Sequence, residues 1–130
     1  IGMFQYEVAE GICSNKGTKK YGILSVLIQA FFSVELLIKI KPESFNPPPK
    51  VTSAVIRIIK VRDNIDCDEI LFKQIIKSAF NQRRKTLRNS LKSFKKIENI
   101  KEHSIFDKRA EELDVDDYIF LTNLLSNGNI

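Results

Sequence analysis

The apolar residues of this chain fall into stretches of period two and of period 3.6, and the switches between them outline a fold. Ile1 to Gln5 is a short apolar run that reads as a strand. Glu7-Val8-Ala9-Glu10 follows, with acids where a first helical turn welcomes negative charge. Asn15 to Thr18 should end that helix, with Gly17 suited to a left-handed cap. Ile23 to Phe32 is apolar almost all round, with Ser25 and Gln29 as polar exceptions, and predicts a buried helix packed on a sheet. Val34 to Ile40 alternates, which places Val34, Leu36, Ile38 and Ile40 on one face of a strand. Val51 to Val61 is another such strand, with Ala54, Ile56, Ile58 and Lys60 on one face and Val55, Arg57, Ile59 and Val61 on the other. The connection Lys41 to Lys50 is too short for a helical crossover, so these two strands should be antiparallel neighbours.

Arg62 to Asp68 is polar and marks an expected boundary between residues 1–62 and 63–130. Beyond it Phe72, Ile75, Ile76, Ala79 and Phe80 recur at helical spacing, with Asp68 as a candidate N-cap. A further helix is expected from Gln82 to Phe94, with Leu87, Leu91 and Phe94 inward. Asp114 opens a last helix whose Tyr118, Leu121, Leu124 and Leu125 face the core, and Ser126 to Asn129 stops it. A strand passing into a helix, then paired strands, then helices alone, is an α/β unit followed by a small all-helical domain. Ile1 to Gln5 reads as a strand already in progress, so the chain looks like a piece of a longer one. The open edge of that strand is a candidate surface for self-association.

An apolar fraction of 43% supports a packed core and argues against disorder. The net charge of +5 favours an anionic partner. Its distribution is more telling. Residues 1–62 carry nine bases and four acids, whereas residues 63–130 carry twelve of each, sorted into blocks. Acids gather at Asp63 to Glu69 and Asp107 to Asp117, on either side of a basic run. Cys13 and Cys67 are isolated from each other and form no zinc-type spacing, so both are expected to be reduced and partly buried. His103 reads as a solvated loop residue. No signal-peptide pattern or long apolar span is seen, and a cytoplasmic location without a membrane is expected.

Two stretches carry candidate chemistry. From Asn81 to Lys96 there are seven Lys or Arg and no acid. On a helical wheel Arg84, Arg88, Lys92 and Lys95 share about one quadrant beside the leucines, a stripe spaced to meet successive phosphates. The plainer alternative is a solvated helix face, but such faces usually interleave acids one turn away. The other stretch is Phe45-Asn46-Pro47-Pro48-Pro49-Lys50, where three prolines hold an extended, stiff path. Phe45 at its mouth is either a platform for an unstacked base or a plug packing the loop onto the sheet. Asn46-Pro47-Pro48 superficially matches the Asn/Asp-Pro-Pro-aromatic motif of amino-group methyltransferases, but Pro49 stands where the ring belongs. The five glycines are isolated, so no phosphate-cradling turn is visible, and no metal or nucleophile constellation stands out.

Gln5 to Ala9, Tyr21-Gly22 with Leu24-Ser25-Val26, Phe45 to Val55, Phe80 to Lys92 and Arg109-Ala110-Glu111-Glu112-Leu113 together closely resemble the bacterial small-subunit rRNA adenine dimethyltransferases. The resemblance covers nearly the whole chain. The Phe-x-Pro-x-Pro-x-Val-x-Ser loop is also shared with resistance-type large-subunit rRNA methyltransferases, whereas the Gln82 to Leu91 segment is not. The resemblance implies the last three strands of a Rossmann-like methyltransferase sheet, two of them antiparallel, followed by the helical domain. It implies N6-dimethylation of two adjacent adenines near the 3′ end of small-subunit rRNA, with S-adenosylmethionine bound upstream of Ile1 and no catalytic or cofactor-binding residue in this chain. It assigns Phe45, Pro47, Pro48 and Lys50 to the target-base loop. Arg83, Arg84, Lys85, Arg88, Lys92 and Lys95 fall to rRNA binding on the immature small subunit. A non-catalytic RNA-binding or ribosome-assembly module is the alternative from a different class.

Overall fold

The computed structural model of the protein describes residues 1–44, 47, 52–94, 97–98 and 100–127. Of the target-base loop, Pro47 is described, as an exposed bend; Phe45, Pro48 and Lys50 lie outside the described residues, as does Lys95. Strand β1 (Gly2–Gln5) runs straight into helix α1 (Tyr6–Cys13). Helix α2 (Ile23–Gln29), strand β2 (Phe32–Ile40), a 3-10 turn (Pro42–Ser44) and strand β3 (Ser53–Lys60) follow. The sheet order is β1-β3-β2, and β3 is antiparallel to both neighbours.

Alternation works on β3, where Ala54 and Ile56 are fully buried against Ala9 and Ile12 of α1. It fails on β2. The pairing slips between Leu36 and Ile38, so Leu37 is an extra residue and the faces exchange. Val34 packs toward α1, but Ile38 pairs with Val55 on the open side and is 57% exposed. The same slip puts Lys39, which stays exposed, on the α1 side of the sheet, where its ammonium lies 4.3 Å from the centre of the Tyr6 ring. The expectation of one face shared by Val34, Leu36, Ile38 and Ile40 is thereby corrected.

Helix α2 ends at Gln29, earlier than expected, because Phe32 is already in β2. Its two polar exceptions close the C-terminus of α1, whose last carbonyls have no intrahelical donor. Ser25 Oγ donates to Gly11 O, and Gln29 Nε2 donates to Ile12 O at 2.8 Å and Ser14 O at 2.9 Å. Gly17 does have a positive φ of 88°, but it lies in the turn after the helix, and Ser14 is the cap. Its N–H donates to Glu111 O at 2.6 Å, tying this turn to the far end of the chain.

Helix α3 (Glu69–Asn81) is capped by Asp68, which accepts from the Ile70 and Leu71 N–H groups. Helix α5 (Val115–Asn127) is opened by a reciprocal pair in which the Asp114 and Asp117 carboxylates each accept the other's N–H. Burial disfavours the Asp114 carboxylate, but the Asp117 N–H and the Lys16 ammonium more than offset this and hold its pKa below the usual range. Between these helices lie α4 (Leu87–Ser90) and two 3-10 turns, Ser104–Asp107 and Ala110–Glu112. The expected helix from Gln82 to Phe94 is therefore a single turn. Its first part is drawn into a β-bridge between Thr86 and Arg109, and Leu87 N–H donates to Lys108 O at 2.8 Å. Those cross-chain bonds, together with repulsion among Arg83, Arg84, Lys85 and Arg88 in a helix, outweigh local propensity.

Leu87 and Leu91 are fully buried as expected, within a core that also holds Phe72, Ile76, Phe106 and Tyr118. That core takes in Tyr21, Val26 and Ala30 from the first half of the chain. His103 lies in a loop bend and is half-buried rather than fully solvated. Its Nδ1 accepts the Ile105 N–H at 3.1 Å, capping a 3-10 turn, and its ring lies 5.4 Å from that of Phe120.

Candidate nucleic acid interface

The turn that links α3 to α4 gathers the basic residues, and its geometry sorts them into two kinds. Arg83 and Arg88 are turned back onto the protein. Arg83 Nη2 donates to Glu111 at 3.1 Å and to Thr18 O at 3.0 Å, with its guanidinium carbon 5.7 Å from the centre of the Phe80 ring. Arg88 donates through Nε and Nη2 to Lys101 O, at 3.1 and 2.9 Å, and through Nη1 to Asp107 at 2.5 Å. Arg88 thus uses three guanidinium nitrogens in a planar fork that a lysine would not reproduce, whereas both Arg83 bonds come from Nη2.

Arg84, Lys85 and Lys92 are exposed and make no ion pair with a described residue. The helical stripe of Arg84, Arg88, Lys92 and Lys95 is thus corrected: of its three described members, Arg84, Arg88 and Lys92, only Arg88 lies in a helix, and its charge is already answered by Asp107. What replaces the stripe is a cluster around the bridge. Thr86 stands opposite Arg109, and the neighbouring Lys108 and Arg109 are exposed without an ion pair among the described residues. Lys108 and Arg109 are candidate site residues that sequence reasoning did not single out. They lie in an acid-rich block, and the one signal for them is the pairing of Thr86 with Arg109, which linear sequence does not show.

Two acids of this region are taken up by the turned-back arginines, half-buried Glu111 by Arg83 and exposed Asp107 by Arg88. The outward charge is thus positive although the local composition is balanced. Such a surface suits a polyanion whose phosphates meet several cations at once. A crevice of about 390 Å³ runs along the turn, lined by Phe80, Asn81, Gln82, Arg83, Arg84 and Lys85.

Among the described residues no group of three or more His, Cys, Asp or Glu is placed to hold a metal ion. Cys13 and Cys67 are half-buried free thiols, and burial pushes both pKa values up, away from nucleophilic reactivity. No described helix is long and apolar enough to cross a membrane.

A family model described as ribosomal RNA adenine dimethylase matches residues 1–126. A protein of Flavobacterium johnsoniae named ribosomal RNA small subunit methyltransferase A is 52% identical over 130 residues, covering 99% of this chain and 50% of its own length. Its namesake in Bacteroides thetaiotaomicron is 54% identical over 124 residues, 94% of this chain and 46% of that protein. The chain spans about half the length of the curated relatives it matches. The crystal structure of a dimethyladenosine transferase from Plasmodium falciparum has a TM-score of 0.86 at 22% identity, over 97% of this chain and 56% of that one. The crystal structure of the 23S rRNA methyltransferase ErmE has a TM-score of 0.57 at 20% identity, over 95% and 53%. At such identities the two structures speak for the fold.

Proposed function

The chain belongs to the ribosomal RNA adenine dimethylase family, and we propose that it is the rRNA-holding portion of a cytoplasmic enzyme that dimethylates N6 of two adjacent adenines near the 3′ end of small-subunit rRNA. In this reading residues 63–130 form the helical RNA-binding unit and residues 1–62 the end of the methyltransferase sheet. The observation that carries it is the outward cations Arg84 and Lys85 on a turn braced by Arg83 and Arg88, with Lys108 and Arg109 brought beside it by the bridge to Thr86. Bracing matters because a pre-ordered turn loses little further entropy when a phosphate docks. Phe45 remains the candidate base platform of the loop beyond Ser44.

The methyl donor of such an enzyme is S-adenosylmethionine. The described residues do not fit it. Gly17 is the described residue with left-handed backbone, and it lies in the turn after α1, hydrogen-bonded to Glu111, rather than in a strand-to-helix loop with clustered glycines. No step through the cofactor is therefore derived from these residues. In this proposal it is held by a part of the enzyme outside this chain, and this chain positions the rRNA of the immature subunit.

The test is the salt dependence of binding to a small-subunit rRNA hairpin. Arg84→Glu with Lys85→Glu should weaken binding and lower the slope of log affinity against log salt by about 2, for two phosphates released. An unchanged slope would show that the cluster is a solvated surface.

A further inference from the structure

We propose that the crevice between α1, α2 and the end of α3 receives a single unstacked RNA base. This rests on the RNA-binding reading above and adds a second site to it, apart from the proline loop. The crevice is about 360 Å³, within the roughly 300–1,000 Å³ of ligand sites, and its walls include Val8, Ile23, Leu24 and Phe80. Leu24 is 52% exposed and Val8 38% exposed, so apolar surface is left open here on two helices whose other faces are buried. The rim is charged: Glu7, Lys20 and Arg83 stand around it.

Charge complementarity identifies the occupant. Phe80 and Arg83 line this crevice and also the one along the basic turn, so the two adjoin on either side of the same aromatic–guanidinium pair. A strand whose phosphates lie on Arg84 and Lys85 would bring its next base to Val8, Leu24 and Phe80. The apolar walls suit the faces of a base, and stacking of this sort tolerates any sequence. Arg83 is already fixed by Glu111 and Thr18 O, and its plane need not be ordered on binding. A paired base cannot enter, because its faces are covered in the helix, so the ligand is an unpaired nucleotide in a bulge, loop or end. Glu7 is exposed at the rim without a described partner and is an acceptor only. It favours a base edge with an exocyclic amine over uracil, whose one donor on that edge, N3–H, is flanked by two carbonyl oxygens that would repel the carboxylate.

The test uses the 130-residue chain and two RNA hairpins, one fully paired and one with a single bulged 2-aminopurine. The bulged hairpin should bind about tenfold more tightly, with saturable quenching of the 2-aminopurine emission. Leu24→Glu should abolish both the preference and the quenching while leaving the salt slope unchanged. Val8→Ser, a milder change at an exposed position, should reduce the preference in the same direction. Equal affinity for the two hairpins, or a preference indifferent to both substitutions, would overturn the base site and leave the crevice to a protein side chain. Absence of salt-dependent binding to either hairpin would instead sink the RNA-binding reading beneath it.

Discussion

Arg84 and Arg88 stand one helical turn apart in sequence and would share a face if the helix were continuous. Tertiary contacts separate them. Arg84 points to solvent, whereas Arg88 clamps the Lys101 carbonyl and the Asp107 carboxylate. Removing Arg88 leaves the partly buried Lys101 carbonyl without its charged donor, at a net cost of about 1–3 kcal/mol, while the solvent-screened pair with exposed Asp107 adds little. Arg88→Ala is therefore expected to lower stability by that amount in chemical denaturation, with little change in the salt slope of RNA binding. Arg88→Lys should recover only part of the loss, because an ammonium cannot reproduce the fork. An unaltered denaturation midpoint with a reduced salt slope would return Arg88 to the RNA-facing set.

At the scale of elements, the sheet is covered on one face and open on the other. Phe4, Ala54, Ile56 and Ile58 pack with α1, while Met3, Val55 and Ile38 form a row across all three strands on the opposite side. Met3 and Ile38 are each 57% exposed, and among the described residues β1 pairs with β3 on one side only, so an apolar face adjoins an edge with no described partner strand. Concentration-dependent self-association is expected in sedimentation velocity, and Met3→Lys should weaken it by placing a charge at that edge. A strict monomer at high concentration, with strongly protected amides at Met3 to Gln5, would show that the edge is closed in some other way.

At the scale of the whole molecule, the segment after α1 joins the two halves. Gly17 N–H bonds Glu111 O, Lys16 reaches Asp114 at 3.3 Å, and Tyr21 Oη donates to Leu113 O at 2.7 Å. Tyr118 Oη likewise donates to Ala110 O at 2.6 Å. Burial raises both phenols well above the ordinary tyrosine range, helped at Tyr21 by the Asp114 and Asp117 carboxylates. Since the folded pKa lies above the unfolded one, the unfolded chain binds fewer protons once pH passes about 10, and the slope of stability with pH turns negative. The stabilisation is complete below that pH and is lost as pH climbs toward the folded values. Denaturation at about pH 8 to 11 should show this fall, and Tyr21→Phe should make it shallower. A level profile would mean that the phenols ionise freely in the folded protein.

Much of this architecture was legible in linear order because the signals are local. The stripe from Phe72 to Ala79, the Asp68 and Asp114 caps and the alternation of β3 each depend on residues within a few positions of one another, and each element is as expected. The resemblance carried by Phe80 to Lys92 and by Arg109 to Leu113 likewise lies in contiguous residues, and it agrees with the family match over residues 1–126. Tertiary structure decided what depends on partners distant in the chain. The slip between Leu36 and Ile38 is a matter of pairing with β3, and it sends Ile38 to the open face and Lys39 over the Tyr6 ring. The basic segment has helical spacing, but the bridge from Thr86 to Arg109 unwinds its start, locks Arg83 and Arg88 against Glu111 and Asp107, and brings Lys108 and Arg109 beside the basic turn. Periodicity is set by the few residues of one helical turn or strand, whereas which charge is neutralised depends on a carboxylate nineteen or twenty-eight residues away.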